Sequence, residues 1–328
     1  MNKTSIEWTH RPGTVGMTWN PIHFRRTDGS TIQRTSSKGR VYPVTGNMCT
    51  RISPGCTHCY ASTLNERQGN QLAYTVENLS KGEFYLDEKE LQAPLRTKKP
   101  CTIFVGDMFD LFHEAIPDGM IQRVIGTAIC AEQHTFQFLT KRAERMQAHI
   151  GGDFGVNAYG PPKNCWLGVS VESQKYADER IPLLLQTPAA VRFLSVEPQL
   201  EAVDLAKVSL LRSSGYLRVR TNCLTGEIFD TDEQPTAEGF GIDWVICGGE
   251  SGPGARPFNL SWAESLREQC KAAGVAFFMK QIGSKPFWPC NKTEDGIGGT
   301  IYPPTKKDRK GGDPQEWPES LRVREFPR

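Results

Sequence analysis

The feature that most constrains this chain is a series of short, almost wholly apolar runs separated by stretches with helical spacing. The runs are 102–106 (Thr-Ile-Phe-Val-Gly), 136–140, 165–171, 190–196, 244–247 and 275–279. Runs apolar at every position, not every second one, suit strands covered on both faces, which is the habit of parallel sheets. Between them, 117–133, 141–149, 173–185 and 261–273 carry apolar residues at helical spacing. The last opens Ser261-Trp262-Ala263-Glu264, a capping-box pattern, and closes at Gly274. Strand and helix alternating in this way imply right-handed βα units. Six strands, with a first one expected near Thr45–Cys49, predict an α/β fold: a full or partial TIM-like (β/α) barrel. A doubly wound open sheet is the alternative.

At 328 residues, the chain can bury a substantial core. Its 39 Lys and Arg nearly balance 37 Asp and Glu, which excludes coating nucleic acid by bulk charge but leaves room for a local basic groove. The opening residues lack the apolar stretch of a signal peptide, and no run approaches a membrane span. A soluble, reduced, cytoplasmic protein without membrane contact is expected. The domain reading is a barrel over 1–284 with insertions at about 23–40 and 208–241, followed by an irregular extension, 285–328, packed by Trp288 and Trp317. Within the second insertion, alternation and a Thr225-Gly226 turn predict a β-hairpin.

In a parallel barrel the chemistry sits after the carboxyl ends of the strands. There the chain places Asp107, Asp110 and His113, then Lys141, then Ser170 and Glu172, then Glu197, then Gly248-Gly249-Glu250, then Lys280. Each can also be read as a loop or helix cap, and His113 as a packed histidine instead of a substrate contact. The sharpest local signal is 49–60, Cys-Thr-Arg-Ile-Ser-Pro-Gly-Cys-Thr-His-Cys-Tyr, a C-x6-C-x2-C spacing in a polar loop. Pro54 and Gly55 let the loop fold back, so that three thiolates converge. Closely spaced thiolates suit zinc or an iron–sulfur cluster. His58 lies inside the short link, where it reaches a shared metal awkwardly. Three ligands leave one position open, as is useful on a 4Fe–4S cluster when another molecule must coordinate there. Of the other cysteines, Cys101, Cys130, Cys165, Cys247 and Cys270 read as core residues; Cys223 and Cys290 fall in expected loops.

Three cysteines after the first strand of a βα barrel resemble the radical S-adenosylmethionine (SAM) superfamily, although the usual loop there is C-x3-C-x2-C. A narrower resemblance is carried by Trp19-Asn20-Pro21, the 49–60 stretch, 110–113 (Asp-Leu-Phe-His) and 139–142 (Leu-Thr-Lys-Arg). It continues through 167–172, 193–198, 248–252 and Lys280-Gln281. Together these are similar to a bacteriophage-associated family of unknown function, sometimes encoded beside a three-Cys-motif partner protein. The resemblance implies that Cys49, Cys56 and Cys59 hold a 4Fe–4S cluster whose open iron takes SAM. An external one-electron reductant would then allow cleavage to a 5′-deoxyadenosyl radical that abstracts hydrogen. From strand-end position, Asp107 and Asp110 are expected to hold the SAM amino group. Ser170, Glu172 and Glu197 would contact its ribose or the substrate, and the Gly248-Gly249-Glu250 loop would cover the adenosine. Lys141 and Lys280 are expected to meet a carboxylate or phosphate.

A nucleic acid or nucleotide is the expected substrate, from Arg25, Arg26, Arg34, Lys38 and Arg40 with Trp19 and Tyr42 as stacking platforms. A peptide substrate, including the partner protein itself, is the rival. Two other readings compete: a non-enzymatic module with a structural zinc or iron–sulfur site, and a metal-free enzyme using Glu172 and Glu197 as acid and base.

Overall fold

A computed structural model describes residues 1–28, 30, 32–35, 39, 41–151, 162–211, 218–230, 234–289, 300–301 and 307–328. The fold is mixed α/β, and the chain divides into two compact units, Met1–Trp166 and Leu167–Arg328.

The first unit holds β1 (Asn2–Lys3), β2 (Val15–Trp19), β3 (Ile22–Arg26), helix α1 (Tyr60–Gln68), β4 (Gly82–Leu86), β5 (Cys101–Val105), α2 (Asp118–Cys130), β6 (Thr135–Thr140) and α3 (Ala143–Gly151). β2 pairs parallel with β5, from Val15 opposite Cys101 to Trp19 opposite Val105, and β5 pairs parallel with β6. Every residue of β5 is buried, as its unbroken apolar run requires. β1 joins β2 antiparallel, while β3 and β4 form a separate antiparallel ribbon. β7 (Cys165–Ser170), buried throughout, spans the division between the units.

The second unit holds α4 (Gln174–Gln186), β8 (Val191–Val196), β9 (Val208–Leu211), β10 (Arg218–Thr221), β11 (Glu227–Phe229), β12 (Pro235–Glu238), β13 (Trp244–Gly248), α5 (Leu260–Ala273) and β14 (Ala276–Gln281). β13 lies between β8 and β14, parallel to both. β9 to β12 form a four-stranded antiparallel sheet; its β10–β11 pair is the hairpin expected from the Thr225-Gly226 turn. The eight main-sheet strands follow the order β1-β2-β5-β6-β7-β8-β13-β14, so an α/β sheet built on parallel strands is established.

Three expectations are corrected. The first parallel strand is Val15–Trp19, not Thr45–Cys49, where Gly46 makes only an isolated bridge to Phe24. Gly16 and Thr18 break the apolar run of β2. Gly16 is required because any Cβ there would collide with Thr9 Oγ1 of the preceding turn. The cap of α5 is Asn259, whose side chain accepts from Ser261 N, so Ser261 is the capped residue; Gly274 does end the helix in the left-handed region. Cys130 is exposed at the end of α2, whereas Cys101, Cys165, Cys223, Cys247 and Cys270 are buried; Cys290 lies outside the described residues. Among the described residues, no helix is long and apolar enough to cross a membrane.

Candidate metal and cofactor site

The carboxyl ends of β2, β5 and β6 carry one connected set of polar side chains. After β5 the chain turns at Gly106, which has φ +75° and whose Cβ would lie 2.8 Å from Phe109 O. This turn presents Asp107 and Asp110. Asn20, just beyond β2, donates to Asp107 Oδ1 at 2.6 Å and accepts from Met108 N at 3.3 Å. Burial raises the Asp107 pKa, with the Asn20 hydrogen bond opposing it.

Asp110 is fully engaged within the protein. Its Oδ1 accepts from Thr140 Oγ1 at 2.7 Å and Phe112 N at 3.0 Å, and its Oδ2 from Lys141 N at 3.2 Å and Arg142 Nη1 at 3.1 Å. Arg142, 6% exposed, directs its other donors to Glu114, to Thr50 O and Oγ1, and to Cys49 Sγ at 3.8 Å. Burial alone would lower its pKa, but Asp110, Cys49 and Glu114 raise it, so the guanidinium is firmly charged. His113 lies behind this contact. Ala115 N donates to its Nδ1 at 3.1 Å, so Nε2 carries the proton and donates to Thr50 Oγ1 at 2.9 Å. Burial, then Arg142, lowers its pKa to about 4. His113 is thus buried with both ring nitrogens hydrogen-bonded within the protein.

The cysteine loop lies against this set. Asn47, which precedes Met48 and Cys49, belongs to a buried network of three asparagines. Asn47 N donates to Asn65 Oδ1, Asn65 Nδ2 to Asn70 Oδ1 and Leu72 O, and Asn70 Nδ2 to Phe24 O. A 3-10 turn over Pro54–Cys56 folds the loop back, and Cys59 sits at the N-terminus of α1. Cys49, Cys56 and Cys59 are all free and half-buried, and Cys49 and Cys59 pack on Phe24, Met48, Ala61, Leu72 and Tyr74. Burial pushes the Cys49 thiol up to about 12; Asp110 adds to the rise, and Arg142 opposes it. Burial raises Cys59 too, against the amides of Ser62 and Ala61 at the helix terminus and the Lys141 ammonium, which favour its thiolate.

The donor chemistry suits iron and sulfide, since the set consists of thiols in one loop with a cation at either end. The thiols do not close on a single point. Among the described residues, no three His, Cys, Asp or Glu side chains are placed to hold a metal ion. That separation departs from the convergence expected from Pro54 and Gly55. A multi-iron cluster spaces its thiolates more widely than one tetrahedral ion does.

In the second unit, the strand ends carry a separate set. Glu197, after β8, accepts from Lys280 Nζ at 2.8 Å and Gln281 Nε2 at 3.1 Å; Gln281 Nε2 also donates to Gly249 O. Gly248 lies against the Glu197 carboxylate. Glu250 is clamped by Arg256, whose Nη2 reaches Oε1 at 2.7 Å and whose Nε reaches Oε2 at 3.0 Å. Glu172 is fully buried and paired with Arg180 at 2.9 Å, and Arg180 also donates to Ser170 O. Through these contacts Glu172 ties to α4 and Glu250 to the far side of the 248–256 loop.

The family model described as "Protein of unknown function (DUF5131)" matches residues 30–304. The chain belongs to the DUF5131 family. No curated protein and no solved structure matches it.

In this DUF5131 chain the matched span includes the cysteine loop and every strand-end residue named above, whereas Trp19-Asn20-Pro21 precedes it. The fold brings Cys49, Cys56, Cys59, Asp107, Asp110, His113 and Lys141 to one edge of the first unit. It keeps Ser170, Glu172, Glu197, Gly248, Gly249, Glu250 and Lys280 in the second. The basic run expected to meet nucleic acid is partly neutralised, Arg25 by Glu83 and Arg26 by Asp28. Lys38 and Arg40 lie outside the described residues. Trp19 is completely buried, with Nε1 donating to Glu90 O, so it offers no face for stacking. Sequence reasoning missed Asn20, Thr50 and the 47–65–70 asparagine network as parts of the site. No local pattern marks the three asparagines, because the stretch 47–70 around them is itself polar.

Proposed function

We propose that this DUF5131 chain is a radical SAM enzyme whose 4Fe–4S cluster is held by Cys49, Cys56 and Cys59. The observation that supports it is a set of three free, half-buried thiols in one loop beside the carboxyl ends of parallel strands. When bound, such a cluster supplies one-electron reductive cleavage of SAM and, through it, hydrogen abstraction from a substrate.

The residues of the chain prepare the site. Lys141 and the α1 amides favour the anionic sulfur of Cys59, and Arg142 does the same for Cys49. The apolar cluster under the loop, with Phe84 and Met108, gives the half-buried thiols of Cys49 and Cys59 an apolar floor. Asp110 positions Arg142 and is spent in doing so. Asp107 is therefore the carboxylate left for the SAM amino group. A nucleotide substrate draws no support from Trp19, so the proposal rests on cofactor chemistry.

The test is anaerobic purification, reconstitution with iron and sulfide, and reduction with SAM, read as 5′-deoxyadenosine formed. Cluster-dependent product, absent from the Cys49/Cys56/Cys59 triple-Ala variant, supports the reading. A chain that takes up stoichiometric zinc and no iron overturns it.

A further inference from the structure

Gln137, in the middle of β6, carries polar atoms that the fold itself does not use. Its side chain is completely buried, and neither Oε1 nor Nε2 has a hydrogen-bond partner among the described residues. We propose that the Gln137 amide is the recognition group of a ligand site within the first unit, where it reads the edge of a nucleobase.

Strand register places the site. Thr18 of β2 lies opposite Phe104 of β5, and Phe104 lies opposite Gln137 of β6, so the three form a row across one face of the sheet. The amino end of that face is closed by the protein itself. Trp8 packs edge-on against Phe104 at 4.7 Å, and Arg11 Nη1 donates to Thr135 Oγ1 at 3.0 Å, two residues before Gln137. Toward the carboxyl end, the next β6 residue on this face is Leu139, which is only half-buried. Asp107 accepts a hydrogen bond from Thr18 at that same end. A ligand therefore reaches Gln137 from the carboxyl end of the strands, by displacing the Leu139 side chain.

Burying an amide without partners costs free energy that Leu or Met at the same position avoids. What the amide offers in return is a donor beside an acceptor. That pair bonds in bidentate fashion to an edge of the same kind, as a glutamine reads N6 and N7 of adenine. Phe104 and Leu139 suit a planar, apolar body behind such an edge. A nucleobase combines the two properties. The inference stands apart from the cluster reading, because no thiol takes part in it.

The experiment is isothermal titration calorimetry on the full chain without added metal. The probes are adenosine and uridine, each beside a mismatch that lacks the edge donor, N6,N6-dimethyladenosine and 3-methyluridine. Wild type should bind at least one nucleoside about tenfold more tightly than its methylated form. Gln137→Met removes both amide atoms at similar side-chain length; it should lose that preference and melt at a higher temperature than wild type. Gln137→Leu should behave in the same way. Wild type that binds neither nucleoside, or that ignores the added methyl groups, overturns the inference. A folded variant that keeps the preference overturns it too, and so does one that melts lower, since the amide would then already be satisfied. Should neither variant fold, the wild-type comparison decides alone.

Discussion

His113 shows how one buried side chain sets a pH limit on the site. Its pKa falls to about 4 from an ordinary value near 6.5, through burial first and Arg142 second. Between those two values the unfolded chain binds a proton that the folded chain does not, so stability rises with pH across that window. Thermal midpoints of wild type should therefore fall as pH drops from about 6.5 to 4. His113→Gln, which removes the titrating group, should flatten part of that slope; an unchanged slope would sink the assignment. The identity of such residues was legible at this scale and their duties were not. The three cysteines announce themselves by spacing. Asp110 reads as a ligand because it follows a strand, yet its carboxylate serves Thr140, Lys141 and Arg142, thirty or so positions away. No local pattern encodes a partner at that separation.

Elements were legible where composition and period agreed. β5, β6, β8, β13 and β14 each fall within a residue or two of an apolar run, because burial on both faces leaves few polar positions, such as Gln137 in β6 and Arg192 in β8. β2 escaped because its close approach to Thr9 demands a glycine, which reads as a turn. Helix ends were legible to one turn only. Asn259→Ala should cost about 1 kcal/mol of stability through loss of the α5 cap, whereas Ser261→Ala should cost almost nothing; denaturant titration of both variants checks it. Gly106→Ala tests whether the β5 turn positions the site. The positive φ and the 2.8 Å approach to Phe109 O should displace Asp107 and Asp110 together, lowering iron uptake more than thermal stability.

At the scale of the whole molecule, the cysteine inventory makes a global prediction. Burial pushes the Cys165 and Cys270 thiols up to about 12 and raises those of Cys223 and Cys247 well above the ordinary thiol value. Brief iodoacetamide treatment of the apo protein, followed by peptide mass spectrometry, should label Cys130 and Cys56 while sparing these four until denaturant is added. Early labelling of Cys223 or Cys247 would contradict the packing. The βα order of the main sheet was legible because it follows from strand and helix succession alone. The role of the last residues was not. Phe326 packs 5.5 Å from Trp244 and 5.4 Å from Phe278, Trp244 Nε1 donates to Glu325 O, and Met279 N donates to Val323 O. Nothing in the Pro- and charge-rich composition of that stretch signals a strand-like edge.

The cysteine loop is fastened at two ends by unrelated devices. At one, Arg142 and His113 grip Thr50; at the other, Cys59 is fixed by the start of α1. The stretch between them is an arch on two piers, and its span can be re-cut without moving either footing. Shortening it at the exposed Arg51 and Ile52 should shift Cys56 while the bonds to Thr50 and the start of α1 stay in place, a result that a cysteine-labelling comparison of the two chains would check.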